Sequence, residues 1–149
     1  LVFSSQEEVG CRGAKVAAQR IRPDVAIAVD ISIATDVPGY PERKTINRLG
    51  DGVGIKVMDK LSGAVNGAIC SQGVVREMKR IAREQGIVYQ LEAYVNGGTD
   101  IDTMQTEAGG METGGVCLPT RYVHSFEACL VKEVVDCVKR LYHYVKSLA

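Results

Sequence analysis

Two adjacent carboxylates, Glu7 and Glu8, stand in the stretch "SSQEEVGCRGA", between an apolar run and a row of small residues. Paired carboxyl groups can divide proton transfer and cation binding when their environments differ. On an extended backbone neighbouring side chains point in opposite directions, whereas a kinked turn brings both to one pocket at different depths. One then holds a cation while the other moves a proton. The simpler account is two solvated glutamates ahead of a helix N-terminus, where negative charge is favoured. Asp30 ends the run "AIAVD", where an unpaired charge is expensive to bury. Local sequence leaves two roles open for it, a turn cap or a metal ligand. Asp100 follows "YVNGGT", and Arg121 and His124 lie in "LPTRYVHS". Taken alone, His124 reads most simply as a histidine satisfied by a backbone carbonyl.

These residues need elements to hold them. Leu1–Ser5 reads as a short strand, followed by a helix over about 10–21 whose Ala14, Ala17 and Ala18 suit close packing on a sheet. "VAIAVDI" (25–31) is apolar up to Asp30, the pattern of a strand buried on both faces. Prolines and glycines make "SIATDVPGYPERKTINRLGDG" a long irregular connection. A strand is expected at 53–58 and a helix at 71–85, its apolar face formed by Val74, Val75, Met78, Ile81 and Ala82. Ser71 suits its N-cap and Gly86 its stop. Strands at 87–95 and 114–119 flank a short helical stretch to about 107. A last helix over about 126–148 is expected to bury Cys129, Val134, Cys137, Val138, Leu141 and Val145.

Strands alternating with helices predict an α/β fold, with a mixed, largely parallel central sheet between helices. Ligand sites in such sheets form beyond the carboxyl ends of strands. Glu7-Glu8, Asp30, Gly97–Asp100 and Arg121–His124 all follow predicted strands. Together they describe a site rich in oxygen and nitrogen ligands. "GDGVG" (50–54) lacks the lysine and the strand–helix setting of a phosphate loop. Cys117 with His124 would suggest a thiol nucleophile, but Cys117 lies inside a predicted strand, where thiols are inert.

Eighteen basic and eighteen acidic residues in 149 leave no net charge, which argues against a nucleic-acid partner. No apolar run nears the roughly 20 residues of a membrane span. Five cysteines without a CxxC pair read as reduced thiols of a cytoplasmic protein. Leu1-Val2-Phe3 reads as the interior of a strand, so the chain is expected to be the back part of a longer protein.

"SSQEEVGCRGA", "AIAVDISIATDVPG", "YQLEAYVNGGTD" and "LPTRYVHS", in this order and across the whole chain, resemble metallopeptidase family 42. These are the tetrahedral aminopeptidases, with glutamyl, leucyl and lysyl members, and some relatives carry endoglucanase, cellulase M or frv-operon labels. The resemblance implies a three-layer zinc-peptidase-like catalytic domain, of which this chain is the C-terminal part. It implies a site of two divalent metals, zinc or cobalt, with Glu7 as general base and Glu8, Asp30 and His124 as metal ligands. Asp100 and Arg121 are read as supporting residues.

The family's further histidine, from an HxD motif, and its bridging aspartate have no counterpart here. They belong upstream, with an inserted β-rich dimerisation domain. The resemblance therefore implies peptide substrates, homo-oligomers from dimer to dodecamer, and an incomplete site in this chain, which alone should bind metal weakly and be inactive. Cys11 stands where leucine is frequent in the family. The alternatives are a glycoside hydrolase, prompted by two carboxylates, and a non-catalytic structural fragment. Adjacent glutamates rarely flank a glycosidic bond at the ~5–9 Å that chemistry requires, and the sequence has no tryptophan for sugar stacking.

Overall fold

The computed structural model describes residues 1–60 and 67–148. Among the described residues five strands and four α-helices follow one another as α1 (Arg12–Ile21), β1 (Val25–Ile33), β2 (Val53–Asp59), β3 (Ala68–Ile69), α2 (Gln72–Glu84), β4 (Tyr89–Tyr94), α3 (Ile101–Met104), β5 (Glu112–Thr120) and α4 (Val131–Ser147). The sheet runs β1-β5-β2, with β3 and β4 both pairing β2. Pairing is parallel over nine positions of β1–β5 and six of β2–β4. It is antiparallel over three positions of β2–β5 and two of β2–β3. The mixed, largely parallel sheet is therefore the observed one.

Two adjacent glycines of β5 show how the layers stack. A Cβ on Gly114 would meet Val74 of α2 at 2.4 Å, while one on Gly115 would meet Ile101 of α3 at 2.8 Å. Successive strand residues face opposite sides, so α2 and α3 cover opposite faces of the sheet. The core gathers Val53, Ile55, Val74, Met78, Ile81, Ile101 and Val116, all nearly inaccessible. α2 forms as its spacing predicts, with Val74, Val75, Met78, Ile81 and Ala82 buried. Ser71 takes the N-cap position without a side-chain cap bond; its Oγ instead accepts the Thr113 N–H at 3.0 Å. Gly86 ends the helix with φ 63°.

Five expectations are corrected. Residues 1–6 pair with no strand among the described residues, and Phe3 is 91% exposed. β1 runs on to Ile33, so Asp30 lies inside the strand, opposite Cys117 in register. β1 also alternates in burial rather than being covered on both faces, with Val29 exposed. α4 begins at Val131, not near Phe126. The preceding residues form a bridge between Arg121 and Ala128, and Tyr122 and His124 adopt left-handed φ values of 59° and 64°.

The largest correction concerns which face of α4 is buried. Cys137 is covered as expected, but Val134, Val138 and Val145 are exposed, while Glu133, Asp136, Arg140 and Tyr144 face inward. Polar contacts set this rotation. The Glu133 carboxylate accepts the N–H groups of Gly50 and Gly52, each at 3.0 Å. The Arg140 guanidinium lies 5.5 Å from the Tyr89 ring centroid, a favourable cation–π distance.

Candidate metal-dependent active site

Glu7 and Glu8 open a 3-10 turn, Glu7–Val9, set between residues in unusual backbone conformations. Gln6, Gly10 and Cys11 have φ values of 59°, 113° and 53°. Positive φ at three of six positions makes this the kinked turn that two carboxylates need to reach one pocket. The turn is held from below, because Gly13 packs directly on Ser5. A Cβ at Gly13 would lie 2.4 Å from the Ser5 nitrogen, closer than any side chain permits. The Gly13 N–H donates to the Ser5 carbonyl at 2.9 Å, and the N–H groups of Gly10 and Cys11 both donate to the Glu7 carbonyl.

A cavity of about 400 Å³ opens beside this turn, lined by Glu7, Glu8, Cys11, Asp30, Lys56 and Glu92 together with residues of the 94–99 and 123–127 segments. His124 is among them. Four residues singled out in the sequence, Glu7, Glu8, Asp30 and His124, thus meet at one cavity from three separate segments. Asp100 sits just outside it. Its Oδ2 accepts the Ser4 hydroxyl at 2.6 Å, and a ligand atom of its carboxylate falls within 4.8 Å of those of Glu7 and Cys11. Arg121 does not enter the cavity. Its Nη2 pairs with Asp36 Oδ2 at 2.6 Å and so ties the segment after β5 to the long 34–52 connection.

The electrostatics are those of crowded carboxylates. Partial burial, then Asp30, with smaller contributions from Glu8 and Asp100, push the Glu7 carboxyl upward, and the Cys11 thiol opposes them, donating to Oε1 at 3.6 Å. Burial also raises Asp30, with Asp100 and Glu8 adding to it, while a 2.7 Å hydrogen bond from the Ile31 N–H and the nearby Lys56 oppose the rise. Cys11 is pushed up to about 12, by burial first and Glu7 next, so its thiol stays protonated. Cys117 is wholly buried and is also raised by burial, as suits an inert strand thiol.

The donor set fits a divalent cation. Glu8 Oε1 and His124 Nδ1 are 3.7 Å apart. Two ligands of one tetrahedral zinc, with bonds of about 2.0–2.2 Å, stand roughly 3.3–3.6 Å apart. Both side chains are largely exposed, so small rotations close that difference. The tightest group of ligand atoms among the described residues is nevertheless Glu7, Cys11 and Asp100, not the ligands expected from the sequence.

The sequence reading missed the floor of the cavity. Lys56 and Glu92, paired in register across β2 and β4, form an ion pair that is almost wholly buried. Lys56 Nζ also lies 3.4 Å from Asp59 Oδ2. Asn47 donates to Glu92 Oε2 at 2.6 Å, and the Thr99 hydroxyl to Asp59 Oδ2 at 2.9 Å. The signal was a charge inside each of two apolar strands, "VGIKVM" and "YQLEAY". Such charges persist in a core only when paired.

Asp102, beside Asp59, supplies a pH signature. Burial first, and then sharing a proton with Asp59, push it from its ordinary 3.8 up to about 8. The folded state therefore binds this proton more tightly than the unfolded chain. The stability it contributes is fully present below 3.8 and is lost as pH rises to about 8. Asp102→Asn should flatten the decline in thermal stability across that window and leave the variant more stable than wild type above it. Thermal unfolding at a series of pH values checks this.

The family model for the M42 glutamyl aminopeptidases matches residues 1–139. A protein of Acetivibrio thermocellus with an aminopeptidase name is 39% identical over 141 residues, covering 94% of this chain and 40% of the relative. The structure of an aminopeptidase from the archaeon Desulfurococcus kamchatkensis superposes with a TM-score of 0.88 at 36% identity, over 97% of this chain and 39% of that one. The TET1 peptidase of Pyrococcus horikoshii, described as assembling into a tetrahedron or a large octahedral shell, superposes with a TM-score of 0.70 at 28% identity, over 93% and 39%. The chain spans between 31% and 40% of the length of the curated relatives it matches. With its sheet, its kinked Glu7-Glu8 turn and a match over nearly all of its residues, the chain belongs to the M42 aminopeptidase family.

Proposed function

We propose that this chain forms part of the active site of a metal-dependent aminopeptidase that removes N-terminal residues from peptides. The observation that carries this reading is the meeting of Glu7, Glu8, Asp30 and His124 at one cavity. Glu8 and His124 would hold one divalent cation and Asp30 a second, with zinc or cobalt suited to this mixed oxygen and nitrogen set. Bound there, the cations supply acidification of a water molecule and stabilisation of negative charge on the scissile carbonyl oxygen.

Glu7 takes the proton from the attacking water and passes it to the departing amine. Its raised affinity for protons brings it closer to the operating pH, where a general base works best. Glu7, Glu8, Asp30, Glu92 and Glu127 surround the cavity against a single cation, Lys56, already paired. Cys11 steadies Glu7 through its thiol, and Asp100, bonded to Ser4, orients the segment that leads into the Glu7-Glu8 turn. Arg121, through Asp36, braces the segment that carries His124.

The remaining ligands lie in our reading outside these residues, in an upstream part of the catalytic domain that also carries a β-rich dimerisation insert. The 149 residues alone then bind metal weakly and do not turn over. The complete protein works in the cytoplasm as a homo-oligomer, between a dimer and a dodecamer. The test is hydrolysis by the complete natural protein. It should release p-nitroaniline from aminoacyl p-nitroanilides, lose that activity to a chelator and regain it with added zinc or cobalt, while leaving N-acetylated substrates and β-glucan intact. Chelator-resistant cleavage, or cleavage of β-glucan, would sink the proposal. Glu7 and Glu8 share one turn, which does not suit the opposed carboxylates of a glycosidase.

A further inference from the structure

Asn96 is followed directly by Gly97. It is exposed, lies in the bend after β4 and lines the candidate cavity. Asparagine is among the thermally labile residues, and ahead of glycine it is open to attack by its own main chain. The amide nitrogen of the following residue bonds to the side-chain carbonyl carbon, and a glycine offers no Cβ to hinder the approach. Gly97 makes an isolated bridge with Lys60 and lies outside β4. A glycine is also required here, because a Cβ at this position would overlap the Tyr94 ring. Asn47 is the internal contrast. It is fully buried, its amide nitrogen donates to Ser32 and Glu92, and the next N–H, that of Arg48, donates to Gln90 Oε1 at 2.9 Å. Both groups that would react at Asn47 are therefore held.

The residues just after this pair hold the Glu7-Glu8 turn. The Thr99 hydroxyl donates to Asp59 Oδ2 at 2.9 Å, and the Thr99 carbonyl lies 3.4 Å from the Cys11 sulfur, whose thiol also reaches Glu7. Asp100 Oδ2 accepts the Ser4 hydroxyl at 2.6 Å. A change in the length of the main chain at Asn96 is therefore felt at the turn that carries both glutamates.

We propose that Asn96 is a site of spontaneous modification, converting to aspartate and isoaspartate in the cavity wall and disabling the site as it does so. The Gly97 nitrogen forms a bond to Asn96 Cγ, the Cγ–Nδ2 bond breaks, and Nδ2 leaves as ammonia with the proton from the Gly97 N–H. Water then opens the five-membered imide ring at either carbonyl. Opening at Cγ gives aspartate. Opening at the main-chain carbonyl gives isoaspartate, in which the chain runs through Cγ and is one carbon longer. One water is consumed and one ammonia released, with no oxidation. Both products add a carboxylate to a cavity already lined by Glu7, Glu8 and Asp30, and isoaspartate also shifts Thr99 and Asp100 away from their partners. The loss of activity rests on the aminopeptidase reading; the modification does not.

The test is to age the complete natural protein in mildly alkaline buffer and to follow it by peptide mass spectrometry and by aminoacyl p-nitroanilide hydrolysis. The Asn96 peptide should gain one mass unit and separate into two products, while the Asn47 peptide stays unchanged. Activity should fall in step with the modified fraction. Asn96→Gln, whose longer side chain closes a ring far more slowly, should keep its own starting activity over the same period. An Asn96 peptide that converts no faster than that of Asn47, conversion with no loss of activity, or an equal loss in Asn96→Gln would overturn the proposal. If the fresh protein hydrolyses nothing, the aminopeptidase reading fails, and the mass of the Asn96 peptide still decides the modification.

Discussion

Glu7→Gln in the complete natural protein should lower kcat by about a hundredfold to ten-thousandfold, the usual contribution of a positioned general base, with little change in KM or bound metal. The substitution preserves the shape and the hydrogen bond from the Cys11 thiol but removes the proton acceptor. Its neighbour should behave differently. Glu8 is 3.7 Å from His124 and is assigned to a cation, so Glu8→Gln should lower metal content together with rate. Both glutamates belong to one 3-10 turn, and a merely structural role would make the two variants alike. Steady-state kinetics and metal analysis, run in parallel on both, separate these outcomes. Equal loss of metal in both variants would remove Glu7 from the role of base.

The second large effect concerns stability. Lys56→Met should destabilise the fold by about 3–5 kcal/mol, because removing one partner of a buried ion pair strands the other charge. Here two carboxylates would be stranded, Glu92 and Asp59, both fully buried. Burial alone would pull Lys56 down, but the neighbouring Glu92 and Asp59 carboxylates outweigh it and hold the ammonium in its charged form. Adding Glu92→Gln to Lys56→Met should restore part of the loss, since Asn47 still reaches that side chain. Urea unfolding of the single and double variants gives the coupling directly. A Lys56→Met variant as stable as wild type would show that the pair is not closed in the folded protein. Because Lys56 and Glu92 also line the cavity, the pair joins the core to the site.

Local spacing made most of the elements legible. The helical periodicity of Val74 to Ala82 and the apolar runs of β2 and β4 led directly to the observed elements. Of the residues singled out for the candidate site, the structure brings four to one cavity. What failed depended on long-range contacts. Apolar spacing alone put the valines of α4 inward. Glu133, bound to the 50–52 turn, and Arg140, against Tyr89, rotate the helix the other way. The start of α4 was misplaced because left-handed Tyr122 and His124 hold an irregular segment that composition does not signal. Lys56 and Glu92 were overlooked because each is a lone charge in its strand, and only the pairing of β2 with β4 makes them partners.

The central claim is that Glu8, Asp30 and His124 hold the metal while Glu7 moves the proton. Metal bound per chain, measured by mass spectrometry of the dialysed complete protein, tests this division most directly. Glu7→Gln should retain the wild-type metal content, whereas Glu8→Gln, Asp30→Asn and His124→Ala should each lose metal. Unchanged metal content in all three of these variants would contradict the account.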